Sequence, residues 1–427
     1  MEFLYKDYGR KHSVLEQIKT ITPMTIVNNT TAGQLEKQLT AKEWSVITDL
    51  QVTGTINYND WKFIGSLKRH NTLSHLDISK TQGLTNTGEI DYVFSKFRSL
   101  DTVLLPEGVT SIDACTFESC ENLQYISLPS TVKAIGEMAF KGCRTLSKIH
   151  LPLGLKSIGT YAFWDCTALH SITLPETLET LDGGAFANCS DLKEIALPQK
   201  LKKIPENCFR NCVALLSVAI PEGIEEIKGK AFEHCMRLTD VKLPGTLISI
   251  CEEAFKGCIK LKQVNLPDSL VEIGKKAFED CSSLTVITLP RNLKVLCNEV
   301  LRGCSHLERL NIPSSMSEMQ PNGKWKYTGL QKIGEESLRH CRSLTNIALP
   351  ASMRLIESHA FRGCKLVSTI ECLAPKPPIA MPNSFAGVDT ENVVLFVPTQ
   401  QINNYREANG WNKFKIVKGK DDSDIFV

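Results

Sequence analysis

The sequence predicts a parallel β-solenoid of the α/β repeat class, built from short strands that stack coil upon coil. Two observations predict it: a Leu-Pro or Ile-Pro pair recurs every 23 residues, and apolar residues keep the same positions within every period. A further pair, Leu349-Pro350, follows after 37 residues, which is one period plus an insertion of 14. The regular pairs begin at Leu105, Leu128, Leu151, Leu174, Leu197, Ile220, Leu243, Leu266, Leu289 and Ile312.

Each repeat contains two strand segments and a corner. Ile172 and Leu174 alternate with a polar residue, which is the two-residue period of a strand with one buried face. Pro175 ends this strand because proline lacks an amide donor and fixes its own φ. Leu178 and Leu181 then predict a second short inward segment. An Ala-Phe-x-x-Cys segment follows and rounds the corner as a turn or a single helical turn.

A coil of 23 residues cannot bury its apolar side chains by itself, so the eleven coils must stack and share one interior. At roughly 4.8 Å between neighbouring strands, they make a body about 50 Å long before any caps are added.

The N-terminal part departs from the repeat, as expected of a cap that covers the first coil. The segment Thr31-Ala32-Gly33-Gln34 has the form of a capping box and predicts the start of a helix. Residues 46–52 predict a strand and residues 59–67 a second helix. The spacing of apolar residues over 73–78 predicts an irregular first coil.

The C-terminal part also loses the repeat. Cys372 takes a Leu position, Phe385 comes one residue late, and the alternation over residues 393–397 predicts a closing strand. The apolar lid expected after it consists of Tyr405, Trp411 and Phe414. The parts of the chain are then an unassigned segment (1–24), an N-terminal α/β cap with the irregular first coil (25–99), the solenoid (100–372) with its insertion (314–329), a C-terminal β cap (373–418) and a tail (419–427).

Phenylalanine and cysteine each hold one position of the repeat and so form two columns along the solenoid. At this inward spacing the phenylalanines predict a core spine rather than a ligand platform. The phenylalanine column consists of Phe117, Phe140, Phe163, Phe186, Phe209, Phe232, Phe255, Phe278 and Phe361, with Leu301 and Leu338 in two coils. The cysteine column consists of Cys120, Cys143, Cys166, Cys189, Cys212, Cys235, Cys258, Cys281, Cys304, Cys341 and Cys364.

We interpret the cysteine column as buried free thiols that fill a corner. Stacked Cα atoms about 5 Å apart lie inside the disulfide range, but parallel side chains hold the Cβ atoms at nearly that same distance. The five remaining cysteines are scattered, and no Cys-x-x-Cys occurs. A zinc site from local ligands is therefore not expected.

No motif in the chain predicts catalysis or a cofactor, since phosphate-cradling Gly-rich loops and nucleophile elbows are absent. His234 precedes Cys235 and His340 precedes Cys341, but a buried thiol has no reason to ionise, and adjacent side chains should point different ways. We therefore predict a protein without catalytic, metal or cofactor residues. An enzyme whose carboxylates meet only in space is the lesser alternative, because a regular solenoid has no deep cleft.

The charge balance excludes some classes of partner. With 49 Lys plus Arg and 47 Asp plus Glu, the formal net charge is +2, so nothing favours nucleic acid. No apolar run is long enough for a membrane span. The N-terminus carries charges within its first ten residues and lacks the apolar stretch of a secretory leader. Either the protein is intracellular or its leader lies outside this chain.

The insertion at 314–329 is the sharpest local feature, because it interrupts an otherwise invariant period. Its Trp325 and Tyr327 are candidates for an exposed pair that contacts a sugar or a protein; the equal alternative is that they fold back on the phenylalanine column. Trp164 is a second outlier, in a corner position that charged residues hold in other coils.

The outward positions of the second strand segment carry a weak basic stripe. It consists of Lys133, Lys156, Lys202, Lys203, Lys294, Lys332 and Arg354, and acidic residues such as Glu179 offset it. The stripe predicts an anionic-glycan site or, alternatively, an ordinary solvated face. Outward positions of the first strand are mixed and mostly small, which fits recognition of a protein or glycan as well as a merely soluble sheet.

The repeat resembles the BspA-like type of bacterial leucine-rich repeat, and residues 135–143 are close to that type's signature. The resemblance covers roughly residues 25–417. Segments similar to the caps of gut-bacterial members are 31–35 and 47–57 at the N-terminal end, and 374–378, 397–398 and 405–411 at the C-terminal end.

This resemblance implies a non-catalytic leucine-rich-repeat solenoid, exported to the cell surface or secreted and associated with adhesion. It implies no particular ligand positions. Our first hypothesis is a monomeric binding protein that recognises an extracellular or host protein through its sheet face and the 314–329 loop. The alternative is a glycan-binding surface protein that uses Trp325, Tyr327 and the basic stripe.

Overall fold

The computed structural model describes residues 24–83, 92–321 and 325–420, and it confirms the parallel solenoid. Strands of one column pair in parallel with their equivalents one coil away, so that Ser171 lies opposite Glu194 and Gln263 opposite Val286. The first strand column consists of Thr25–Asn29, Asp49–Thr55, His75–Gln82, Thr102–Leu104, Tyr125–Ser127, Ser171–Thr173, Glu194–Ala196, Ser217–Ala219, Asp240–Lys242, Gln263–Asn265, Val286–Thr288, Arg309–Asn311, Asn346–Leu349, Thr369–Cys372, Val394–Pro398 and Ile416–Lys420.

A second column of two-residue strands follows the proline turn of each coil. Its inward residue is apolar and buried, as Ile204 and Ile227 are, while its outward residue is at least partly exposed in every coil except that of Ser249. The second strand column consists of Ser111–Ile112, Ala134–Ile135, Ser157–Ile158, Thr180–Leu181, Lys203–Ile204, Glu226–Ile227, Ser249–Ile250, Glu272–Ile273, Val295–Leu296, Lys332–Ile333, Leu355–Ile356 and Ile379–Ala380.

The corner that carries Phe and Cys is a turn in which two residues adopt positive φ. They lie two positions before and two positions after the phenylalanine, as Met138 (φ 54°) and Gly142 (φ 75°) do around Phe140. The amides of these three residues donate to carbonyls of the next coil at 2.7–2.9 Å. The corner is therefore a third hydrogen-bonded column, which the sequence pattern did not predict.

Phenylalanine rings stack along the interior in one continuous series from Phe94 to Phe278, with centroids 5.2–5.8 Å apart. Leu301 and Leu338 interrupt the series, and it resumes where Phe361 stacks on Phe385 at 5.5 Å. The series thus begins one coil earlier and ends one coil later than the repeat predicts.

Two predicted elements of the N-terminal cap, the strand over 46–52 and the helix over 59–67, are present with shifted bounds. The strand predicted over 46–52 is Asp49–Thr55, and Val46 is exposed, because pairing with Thr25–Asn29 and His75–Gln82 fixes the register of this strand. Helices in this cap are Leu35–Gln38 (3-10), Ala41–Trp44 (α), Tyr58–Ser66 (α) and Leu67–Arg69 (3-10).

A helix begins directly after Thr31–Gln34, at Leu35, as predicted, but the predicted capping box was wrong. The buried carboxylate of Asp60, one coil away, accepts the amides of Gly33 at 2.6 Å and Leu35 at 2.9 Å, so no local side chain is needed. Capping boxes occur instead where Thr40 begins the short helix and where Asn57 begins the longer one.

The C-terminal cap covers the last phenylalanine ring with other aromatic rings. Trp411 and Phe414 lie on Phe385 with centroids 5.2 Å away, and the Trp411 indole donates to the Pro378 carbonyl at 2.8 Å. The closing strand is Val394–Pro398, followed by the helices Thr399–Gln401 (3-10) and Ile402–Glu407 (α). One buried core therefore runs from Val27 to Val417.

Candidate functional site

The insertion forms a two-stranded antiparallel hairpin at the turn between the two strand columns. Met316–Met319 pairs with Trp325–Thr328, so that Ser317 lies opposite Tyr327 and Met319 opposite Trp325. We call residues 316–328 the insertion hairpin. Every other pairing between described strands of the molecule is parallel, which makes this element an addition to the solenoid.

The base of the insertion hairpin is tied to the following coil. Ser315 Oγ accepts the amide of Ser352 at 2.8 Å, and Ser352 Oγ donates to the Leu330 carbonyl at 2.6 Å. The strand Met316–Met319 is exposed along its whole length, with Met316 62% and Met319 52% exposed. Anchored at its base and exposed beyond it, the hairpin presents flexible apolar side chains to solvent.

Tyr327 is half-buried, and no phenylalanine ring among the described residues contacts it. Trp325 begins the second strand of the hairpin, two residues before Tyr327. Trp164 lies elsewhere, on the corner, where the Lys141 ammonium group sits 5.3 Å from its ring centre and also contacts Glu118 at 3.1 Å. The structure therefore does not bring Trp164 together with the hairpin.

The basic stripe is interrupted: its four lysines in the first half of the solenoid lie away from the insertion hairpin, and Lys332, close to the hairpin in the chain, is ion-paired with Glu357 at 2.8 Å. Lys133, Lys156, Lys202 and Lys203 are all exposed, but Lys156 Nζ lies 2.6 Å from Glu179 Oε1. This hydrogen bond and the charge of Lys156 lower the pKa of Glu179. Five coils separate Lys203 from the hairpin, which corresponds to about 24 Å at 4.8 Å per coil. A single ligand would have to span about this distance to contact both Lys203 and the insertion hairpin.

All cysteines are free, and every member of the cysteine column is buried. Each column thiol donates to the carbonyl of the phenylalanine or leucine in the preceding coil, at 3.1–3.3 Å, as Cys143 does to Phe117. Burial raises the pKa of each of these thiols, to about 12 for Cys120 and Cys364. The repeat pattern predicted that the cysteine column is buried, but it did not predict the hydrogen bonds from the thiols to carbonyl oxygens.

The two His-Cys neighbours do not form a nucleophile and base. The thiols of Cys235 and Cys341 point inward to carbonyl oxygens, while His234 lies 3.5 Å from Glu233 and His340 contacts Arg339. Within the described residues, no group of three or more His, Cys, Asp or Glu side chains has the arrangement of a metal site.

A shallow depression of about 160 Å³ lies at the C-terminal end, lined by residues 380–385, 409–410 and 413. Sites for small molecules usually measure roughly 300–1,000 Å³, so this depression is small for a substrate. No helix in the described part of the chain is long and apolar enough to cross a membrane.

Solved structures similar to this chain include bacterial repeat proteins. A leucine-rich repeat protein from Bacteroides ovatus ATCC 8483 is 27% identical, with a TM-score of 0.59, over 79% of this chain and 87% of its own. One from T. pallidum is 31% identical, with a TM-score of 0.35, over 43% and 77%. A leucine rich cell surface protein from Faecalibacterium prausnitzii A2-165 is 20% identical, with a TM-score of 0.33, over 77% and 82%. No curated protein matches the chain.

The model of the BspA type leucine rich repeat region, which spans six copies of the repeat, matches three segments of the sequence. They are residues 89–216, 202–323 and 326–406, which together exceed half of the chain. These segments include both strand columns and the corner described above. The chain belongs to the BspA-type leucine-rich-repeat family.

Proposed function

We propose that this protein is a non-catalytic adhesion protein of the cell surface or the secreted fraction, which binds an extracellular protein as a monomer. Leucine-rich-repeat proteins are generally non-catalytic binding proteins, and BspA-like relatives are cell-surface proteins. The observation that carries the proposal is the insertion hairpin, which departs from an invariant repeat and exposes Met316 and Met319.

The chemistry of the insertion hairpin fits a protein partner. Exposed methionines suit adaptable apolar contacts, and tryptophan and tyrosine are enriched among residues that dominate binding energy. The sequence of the hairpin contains one carboxylate, Glu318, which lies opposite Lys326. The two described strands of the hairpin therefore carry both signs of charge and no anion-binding cluster.

A glycan remains the second candidate. Trp325 and Tyr327 lie two residues apart on one strand, a spacing that places both positions on the same side of a hairpin. Aromatic residues so placed suit a sugar ring as well as a protein side chain. The basic stripe supports this candidate less, because Lys133, Lys202 and Lys203 lie several coils from the hairpin and Lys332, which is near it, is already paired with Glu357.

Deleting residues 315–328 tests the proposal. The deletion joins Ser314 to Gly329 and restores the Pro-x-x-Leu spacing between Pro313 and Leu330, so the solenoid should fold with an unchanged circular dichroism spectrum. Binding should be measured on immobilised extracellular-matrix proteins and on a glycan array. We expect the deletion variant to lose binding to a matrix protein that the wild type binds.

Two substitution variants sharpen the result. Trp325→Ala plus Tyr327→Ala should weaken protein binding by about 30-fold or more if these are dominant contacts. Lys133→Gln plus Lys202→Gln serves as the matched control on the basic stripe and should leave protein binding unchanged. Glycan binding that only the lysine variant removes would contradict the proposal, as would matrix-protein binding that survives the deletion.

A further inference from the structure

Opposite charges alternate on the outer side of the corner along much of the solenoid. In two runs of coils, separated by Trp164 and Ala187, the position after the phenylalanine carries a cation in one coil and a carboxylate in the next, and the two meet across coils. Lys141 lies 3.1 Å from Glu118, Arg210 lies 2.7 Å from Glu233, and Lys256 lies 3.0 Å from Glu279. Each cation there has its counter-charge within the molecule.

The alternation ends at Arg302, which still contacts Glu279 at 3.3 Å, because the same position in the next two coils holds Arg339 and Arg362. Backbone hydrogen bonds stack these coils in register: Gly303 donates to the Arg339 carbonyl and His340 to the Arg362 carbonyl, both at 2.8 Å. Arg302 lies 2.6 Å from Glu299, and Arg339 lies 2.7 Å from Glu336. Arg362 is exposed and forms no ion pair with any residue that the structure describes.

Two further cations lie beside the three arginines at 302, 339 and 362. Arg342 follows Cys341 and Lys365 follows Cys364, and because both cysteines belong to the cysteine column, the two cations occupy equivalent positions in neighbouring coils. Both are exposed, and neither is ion-paired within the described ranges. Leu366, next to Lys365, is 61% exposed. We call Arg342, Arg362, Lys365 and Leu366 the arginine patch.

His340 lies close to the arginine patch and to the two paired arginines beside it. Burial and then the charges of four arginines, at 339, 342, 362 and 302, lower the pKa of His340. Its Nε2 accepts a hydrogen bond from Arg339 Nε at 3.3 Å. Arg342, Arg362 and Lys365, which have no ion-pair partner among the described residues, repel one another, and this costs stability unless an anion from outside completes the site.

We propose that the arginine patch binds an acidic segment of the protein partner, with an apolar side chain of that segment on Leu366 and its carboxylates on the surrounding cations. The proposal rests on the proposed function, because it names the chemistry of a second contact with the same class of partner. The guanidinium fork of arginine matches a carboxylate with two parallel hydrogen bonds. An exposed leucine among the cations favours a peptide over a sulfated glycan, which has no large apolar side chain to place there.

A synthetic peptide in which one leucine is flanked by glutamates tests this without knowledge of the natural partner. Wild-type protein should bind the fluorescently labelled peptide, and added salt should weaken that binding. Arg342→Gln plus Arg362→Gln should lower the affinity by about tenfold, since each arginine contacts a carboxylate. Lys133→Gln plus Lys202→Gln removes the same charge elsewhere and should leave the affinity within about twofold.

Two further measurements separate the site from general charge attraction. The pKa of His340, followed by NMR and assigned with a His340→Gln variant, should rise when the peptide binds, because carboxylates then face the ring. Arg342→Lys plus Arg362→Lys should retain part of the affinity, since it keeps the charge but not the guanidinium fork.

Three outcomes overturn the proposal. They are equal loss of affinity in the arginine and lysine variants, equal binding of a peptide with glutamine in place of glutamate, and binding of a sulfated dextran in preference to the peptide. If the acidic peptide does not bind at the arginine patch, the insertion hairpin still stands as the contact site. If the hairpin deletion does not reduce binding to the matrix protein, the result of the peptide experiment still stands. The two proposals are therefore tested separately.

Discussion

The column cysteines complete the hydrogen bonding of buried carbonyl groups. A carbonyl oxygen has two lone pairs, and the corner turn supplies one donor, as the amide of Cys120 does for Phe117. The thiol of Cys143, one coil on, supplies the second donor at 3.2 Å. Serine would donate more strongly but would bury a more polar group, and alanine would leave the carbonyl with one donor. This accounts for cysteine at this position in every regular coil.

Raised thiol pKa values predict a loss of stability at alkaline pH. Cysteines in the unfolded chain have a pKa of about 8.5. Burial raises the pKa of the folded column thiols, to about 12 for Cys120 and Cys364. Below the unfolded value both states keep their protons and this stabilisation is fully present. Above it only the unfolded state releases them, so the free energy of unfolding should fall by about 1.4 kcal/mol per pH unit for each ionising thiol.

Urea titrations between about pH 7 and pH 10 measure this loss, as a falling midpoint. Cys120→Ala plus Cys364→Ala should be less stable at neutral pH yet show a shallower decline, because two ionising groups are gone. A midpoint that stays constant across the alkaline range would contradict buried, protonated thiols.

At the scale of the element, the corner turn depends on residues that hold positive φ on both sides of the phenylalanine. Many of these positions carry side chains rather than glycine, as Met138 (φ 54°) and Asn207 (φ 56°) do. Left-handed φ costs about 1–3 kcal/mol outside glycine and least for asparagine and aspartate. The hydrogen bonds to the next coil offset that cost, so the turn is stable only within the stack.

Met138 gives a direct test of this turn. Met138→Asn should be more stable than Met138→Val by about 1–2 kcal/mol, because a β-branched side chain fits left-handed φ poorly. The same pair at Ser171, on a strand of the first column, should give the opposite order, since valine favours strands. Thermal melting of the four variants measures both differences. Equal stability of the two Met138 variants would show that this residue does not hold positive φ.

At the scale of the whole molecule, the aromatic rings of both caps close a single stack of coils. Trp61 packs edge-on against Phe94 at 5.0 Å, and Trp411 packs on Phe385 at 5.2 Å. Without these rings a terminal coil would expose its core and an unpaired strand edge, which invites association with another copy.

The period of the sequence was enough to predict the stack, both strand columns and the inward direction of the phenylalanine and cysteine columns. It did not predict the N-terminal cap in detail, because Asp60 caps backbone amides from one coil away and local sequence carries no sign of such a contact. Trp325 and Tyr327 stood out because they interrupt the period. The arginine patch did not, because Arg342 and Lys365 occupy positions that the repeat leaves free to vary.

Trp411→Ala tests the role of the C-terminal cap. Loss of the buried indole and its hydrogen bond to Pro378 should cost about 3–5 kcal/mol and open the cap locally. Light scattering after size-exclusion chromatography should then detect oligomers. Trp164→Ala removes a half-buried indole from the corner and should leave the mass in solution equal to that of the wild type. A monomeric Trp411→Ala protein of wild-type stability would contradict the capping role.

The central claim is that all coils share one closed interior that holds the column thiols free and protonated. Alkylation with iodoacetamide under native conditions, without reductant and read by mass spectrometry, tests it most directly. Cys251 and Cys297 are partly exposed, so they should be modified first, while the column cysteines react only after unfolding in urea. Modification of column cysteines in the native protein, or cysteines that resist the reagent even in urea because they are paired, would contradict the account.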